Sequence, residues 1–74
     1  MPRCPRVTAV ETARKLRNDG WYFARQTGSH AQYFHRTKPG TVTIPMHGSA
    51  ILHPQVLKSI LRQARLTVQQ FIAL

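Results

Sequence analysis

Acidic residues are almost absent from this chain. Two Asp and Glu stand against eleven Lys and Arg in 74 residues, a formal net charge of +9. Such an excess repels itself unless a polyanion or an acidic partner screens it, which makes a nucleic acid the leading ligand class. Cysteine is nearly absent too. Cys4 alone excludes disulfide stabilisation, and in its proline-rich setting it reads as a solvated free thiol suited to a reducing cytosol. No run of about 18 apolar residues occurs, and no apolar stretch of secretory length follows the basic "MPRCPR" start, so a soluble, unexported, cytoplasmic protein is expected. Internal repeats, low-complexity tracts and linkers are missing, which leaves one small domain over residues 1–74, with 1–7 as an extended N-terminal tail. A core of that size buries only about 60% of the surface of the unfolded chain, so stability is marginal. An anionic membrane surface is the weaker partner, because the basic helices read below also carry the core stripe and keep no free apolar face to insert.

What is present is well punctuated. Thr8 to Glu11 reads T-x-x-E, a capping box, and predicts a helix over about Ala9 to Asp19, with Val10, Ala13 and Leu16 inward and Gly20 ending it. "WYFARQ" then switches to a period of two. Trp21 and Phe23 are assigned to the core, with Tyr22 and Ala24 on the other face. Gly28 supplies a turn, and "SHAQYFHR" is a second strand in which only one of the adjacent Tyr33 and Phe34 can point fully inward; the sequence leaves open which. "TKPG" is turn chemistry and "TVTI" a third strand, with Val42 and Ile44 on one face and Pro45, which has no amide to donate, closing it or confining it to an edge. Met46 to His53 reads as a loop. Pro54 opens a helix whose apolar stripe is Leu57, Ile60, Leu61 and Ala64, with Lys58, Arg62 and Arg65 as a basic stripe beside it. Thr67 to Gln70 repeats the capping pattern and predicts a short last helix from which Phe71 and Ile72 pack back. The order predicts a two-layer α+β domain, α-β-β-β-α: a three-stranded antiparallel sheet with two main helices on one face and a short C-terminal helix. The other sheet face is left for solvent or a partner.

"LRNDGWYFARQTGSHAQYFHR", then "VTIPMHG", then "LKSILRQARLT" resembles the HicA family of mRNA interferase toxins from Thr8 onward. The most specific parts are Gly28, Ser29 and His30 at the strand junction, Pro45 and His47 after the third strand, and the helix pattern from Leu57 to Ala64. The resemblance implies a fold similar to a double-stranded RNA-binding domain. It also implies a ribosome-independent endoribonuclease acting on mRNA, a HicB-like antitoxin as partner, and cleavage by the histidine of G-S-H, here His30. Gln55 and Val56 stand where many members have Gly-Thr, Arg65 where a glycine commonly ends the second helix, and Met46 at a position that is often basic.

Cleavage of RNA needs little from the protein, since the 2′-hydroxyl is a built-in nucleophile. An imidazole with an ordinary pKa of about 6.5 can take or give the proton, and one such group typically contributes ~10² to 10⁴-fold. Arg25 and Arg36 flank the junction in sequence and offer bidentate donors to phosphate, and the Gly28 and Ser29 amides add to them if the turn forms an anion nest. The amides at the start of the Pro54 helix point toward a third anion-binding position. His47 is the candidate second acid–base or RNA-contacting group, with Lys58 and Arg62 as further RNA-binding residues. His35 and His53 read as surface or capping residues, and Tyr22, Tyr33 and Phe34 as core residues before base-stacking ones. The His and Cys spacings match none of the common zinc patterns, so neither a metal nor a cofactor is expected. Two functions stay open on the residues: a ribonuclease toxin acting through His30, or a non-catalytic module that holds RNA with the same basic face. A DNA-binding regulator has no helix-turn-helix signature to support it.

Overall fold

The computed structural model describes residues 3–74. Helix α1 spans Ala9–Asn18, strands β1, β2 and β3 span Trp21–Thr27, His30–His35 and Val42–Pro45, and helices α2 and α3 span Pro54–Ala64 and Val68–Ile72. The strands form one antiparallel sheet in the order β1-β2-β3. Apolar residues from the three helices and from one sheet face make a single core, which confirms the two-layer α+β arrangement.

Both capping boxes form. The Thr8 hydroxyl accepts from the Glu11 amide at 3.1 Å while the Thr8 amide donates to the Glu11 carboxylate at 2.9 Å, and Thr67 and Gln70 repeat the pair at the start of α3. The phase that this cap sets for α1 differs from the reading by threes. Ala9, Thr12, Ala13 and Leu16 are buried and Val10 is 60% exposed. A strict spacing of three slips around a helix of 3.6 residues per turn, whereas the spacing 9, 12, 13, 16 stays on one side. Thr12 is tolerated inside because its hydroxyl donates to the Thr8 carbonyl at 2.8 Å.

In α2 the predicted stripe of Leu57, Ile60, Leu61 and Ala64 is the buried one. The helix starts at Pro54 with His53 as its cap, Nδ1 accepting from the Gln55 amide at 3.0 Å. It ends in the left-handed residue Arg65, φ 57°, after which the Leu66 amide closes onto the Leu61 carbonyl at 3.0 Å. The chain thus keeps at Arg65 the conformation that a glycine adopts with less strain.

The two sheet faces differ sharply. Ala31, Tyr33, Val42 and Ile44 point into the core, so of the adjacent pair it is Tyr33 that is buried, and Phe34 faces out at 38% exposure. Trp21 is buried as expected. Phe23 is not a core residue: it lies 49% exposed, packed edge-to-face on Tyr33 at 5.8 Å. The pairing slips by one residue between Phe23 and Arg25, a bulge at Ala24, and in this edge strand only Trp21 is buried by the helix layer. Beyond it, β1 is accessible on both faces apart from the half-buried Ala24, while Ala31 and Tyr33 of β2 beside it stay buried. Pro45 ends β3, which is the other edge strand, and the open Thr43 amide there donates to the Gln63 side chain at 2.9 Å. Ile72 is half exposed, and α3 packs inward through the buried Phe71 with Val68 partly buried beside it. Cys4 is half-buried against the core rather than solvated, and Val7 in the expected tail is buried and accepts from the Leu52 amide at 2.8 Å.

Candidate functional site

The site grows from a two-residue hairpin. Thr27 and His30 are the last paired residues of β1 and β2, and Gly28 and Ser29 join them, Gly28 with φ 59° and Ser29 outside the positive-φ region. A glycine at the first central position matches the type II′ turn that suits the twist of a hairpin. The Gln26 side chain donates through Nε2 to the Gly28 carbonyl at 3.0 Å and steadies the turn from within. The Met46 amide donates to the Ser29 carbonyl at 2.6 Å, tying the segment after β3 to the same corner. His30 pairs with Pro45 across β2 and β3, so His47, two residues further on, is brought to the His30 end of the sheet.

Alternation decides where His30 points. Ala31 and Tyr33 are buried, so His30 stands with Gln32 and Phe34 on the face that the helices do not cover, and it is exposed. Among the described residues no side-chain hydrogen bond involves the His30 or the His47 ring. The other two histidines are engaged. His53 caps α2, and the His35 ring accepts at Nδ1 from the Thr37 and Lys38 amides, both at 3.1 Å, which places its proton on Nε2 for donation to the Asp19 carbonyl at 2.6 Å.

Arg25 stands on the open face near His30, its Nε donating to the Gln32 side chain at 3.1 Å, which orients the guanidinium and leaves its terminal nitrogens for an anion. Arg36 is not gathered here. It follows the far end of β2, six residues from His30 and about 20 Å along the strand. Lys58 and Arg62 are likewise elsewhere: at about 100° per residue they fall on the flank of α2 opposite Gln63, the residue that reaches β3. The α2 N-terminus is closed by its own cap at His53, so its first amides are not all free for an anion. The structure therefore groups His30, Gly28, Ser29, Arg25 and His47, and separates Arg36, Lys58 and Arg62 from them. Sequence reasoning missed Gln32 as the residue that orients Arg25. The bulge at Ala24 brings Arg25 opposite Gln32, and no alternation count across "FAR" predicts it. Among the described residues no three of His, Cys, Asp and Glu gather closely enough to hold a metal ion.

Residues 10–66, α1 through α2 and the whole sheet, match the family model described as the HicA toxin of bacterial toxin-antitoxin. The chain belongs to the HicA toxin family. A comparison with curated proteins found no match. Membership gives this HicA-family protein a toxin role and implies an antitoxin as its counterpart, and α3 lies outside the matched segment. No helix among the described residues is long and apolar enough to cross a membrane.

Proposed function

We propose that this HicA-family toxin is a metal-independent endoribonuclease that cuts mRNA in the cytoplasm, with His30 as its general acid–base. The observation that carries the reading is the contrast among the histidines. His30 is an exposed imidazole on the open sheet face with no side-chain hydrogen bond among the described residues, whereas His35 and His53 are spent on structure. His30 takes the 2′-hydroxyl proton, the 2′-oxygen attacks the adjacent phosphorus, and the 5′-oxygen leaves with a proton supplied by His47 or by water. The products carry a 2′,3′-cyclic phosphate and a 5′-hydroxyl. Arg25, aimed by Gln32, and the Gly28 and Ser29 amides stabilise the crowded phosphate. Arg36, Lys58 and Arg62, being distant, hold remote parts of a long strand through its phosphates. A HicB-like antitoxin silences the toxin by covering His30.

Cleavage with EDTA present tests the reading. The parent protein is expected to cut RNA to cyclic-phosphate or 3′-phosphate ends, and His30→Ala to bind RNA without cutting it. Binding without cutting by both proteins would reduce the chain to an RNA-holding module. In cells, expression of the parent is expected to arrest growth and that of His30→Ala to be tolerated.

A further inference from the structure

We propose that the open face of the sheet is a platform for single-stranded RNA, on which Tyr22 and Phe34 stack an unpaired base more than one nucleotide step beyond the bond that His30 cuts. This rests on the ribonuclease reading only for which bond is cut; the platform itself is a statement about binding. Tyr22 and Phe34 are cross-strand partners, their rings perpendicular with centroids 6.4 Å apart, and they are 47% and 38% exposed. Two large rings turned outward from a chain this small contribute nothing to its core. Their mutual edge-to-face packing holds both rings in place, so a base that stacks on them immobilises little side-chain freedom.

The rings are aligned with the candidate site. Phe34 and His30 share the outer face of β2, four residues or about 13 Å apart. That span exceeds one nucleotide step, so the stacked base belongs to a neighbour of the cleaved nucleotide rather than to the nucleotide itself. Between the two ends stands the Arg25–Gln32 pair, at the height of an intervening phosphate. Arg36 follows two positions past Phe34 and is exposed, which gives that distant arginine a phosphate further along the same strand.

Charge favours RNA over a protein as the occupant. The chain has only two acids. Glu11 is committed to the α1 cap, and Asp19, at the other end of that helix, is paired with Lys38 at 2.7 Å. The face between Tyr22 and His30 therefore presents cation, amide and aromatic ring with no carboxylate, the composition of a single-strand groove. A duplex hides its base faces and would leave the rings without a partner, so the platform selects unpaired strands.

The test separates this proposal from the ribonuclease reading. In a His30→Ala background, which cannot cut under that reading, a labelled ten-nucleotide single strand is titrated against the protein with and without a second substitution. Tyr22→Ala and Phe34→Ala are each expected to weaken binding about tenfold, Tyr22→Phe to restore the parent affinity, and a hairpin duplex to show no dependence on the rings. With His30 present, the same alanine variants raise KM for the single strand. Equal single-strand affinity in the alanine variants and the parent overturns the platform and leaves the aromatic pair to a protein partner, whether or not the enzyme cuts. Ring-dependent binding by a protein that never cuts supports the platform and overturns the ribonuclease. Both side chains face solvent; should Phe34→Ala fail to fold, the Tyr22→Ala and Tyr22→Phe pair carries the test alone.

Discussion

The two ends of β2 carry a histidine each, five residues apart, and they have opposite fates. At the C-terminal end His35 faces the helix layer, edge-on to Trp21 at 5.1 Å, with both ring nitrogens hydrogen-bonded. Around it Asp19 accepts at one carboxylate oxygen from Trp21 Nε1 at 3.2 Å and from Lys38 Nζ at 2.7 Å, and Lys38 donates also to the Ala64 carbonyl at 3.1 Å. One polar knot thus ties the end of α1, the loop after β2 and the end of α2 together. At the N-terminal end His30 faces the open side of the sheet and the knot has no counterpart; the turn, the pairing with Thr27 and Pro45 and the Met46 amide hold the backbone, and none of them engages the ring. A ring whose partners are all supplied by the fold is committed to holding the fold. A ring whose partners are left to solvent is available to a substrate, and its loss leaves the fold untouched.

Exchanging the rings for alanine is the strongest way to break that comparison. His30→Ala is expected to lower cleavage by about 10² to 10⁴-fold while stability stays within about 0.5 kcal/mol, as for an ordinary surface substitution. His35→Ala should do the reverse, lowering stability by about 1–3 kcal/mol by leaving part-buried backbone groups without partners and leaving cleavage per folded molecule unchanged. Thermal melts beside the EDTA cleavage assay check both. If His30→Ala proved the destabilised variant, the assignment of roles would be reversed.

Gly20→Ala sharpens the structural end. Gly20 has φ 104°, and a Cβ there would come within 2.6 Å of His35 Nε2, so the change disturbs both the helix end and the ring that the knot holds. A loss of about 1–2 kcal/mol is expected, and chemical denaturation measures it. Arg65→Gly acts beside the same knot in the opposite direction. Relief of the left-handed strain at φ 57° is partly offset by the greater freedom of glycine in the unfolded chain, and a gain of up to about 1 kcal/mol is expected in the same denaturation curves. The smallest effect concerns a region away from both ends. The Thr8 backbone amide, then the Thr8 hydroxyl, holds the Glu11 carboxyl below its ordinary value of 4.5. A depressed carboxylate stabilises the folded chain above its unfolded pKa and loses that contribution as the pH falls through the folded one. The stability gap between the parent and Glu11→Gln should therefore be present at neutral pH and close below about pH 4.5, a comparison that melts across the acid range can make.

Much of this arrangement was readable before the chain was folded, for local reasons. Thr8 and Glu11, Thr67 and Gln70, Pro54, and the Gly28–Ser29 turn each act within a few residues, so the elements they begin and connect appear where the sequence places them. The stripe of α2 was legible because four large or small apolar residues at helical spacing have one common side. Phe23 and Val10 were misjudged for different reasons. The strand pattern gave the face that Phe23 occupies but not how far the helix layer extends over it, whereas a count by threes placed Val10 on a side of α1 that a turn of 3.6 residues carries away from the core. The candidate site was legible in part: His30 and its turn come from contiguous residues. The flanking of that turn by Arg36 was a sequence proximity that an extended strand turns into a separation of about 20 Å.

The sequence by itself determined the order of elements, their caps, the antiparallel hairpin and the overwhelming positive charge, because each depends on residues close together in the chain or on composition alone. Only the tertiary structure decided which histidine is consumed and which is free, which of Tyr33 and Phe34 is buried, and that Asp19, His35, Lys38 and Ala64 meet in one knot. Those outcomes depend on register, on a bulge at Ala24 and on how far the helices reach across the sheet, and each is set by contacts between residues that are remote in sequence.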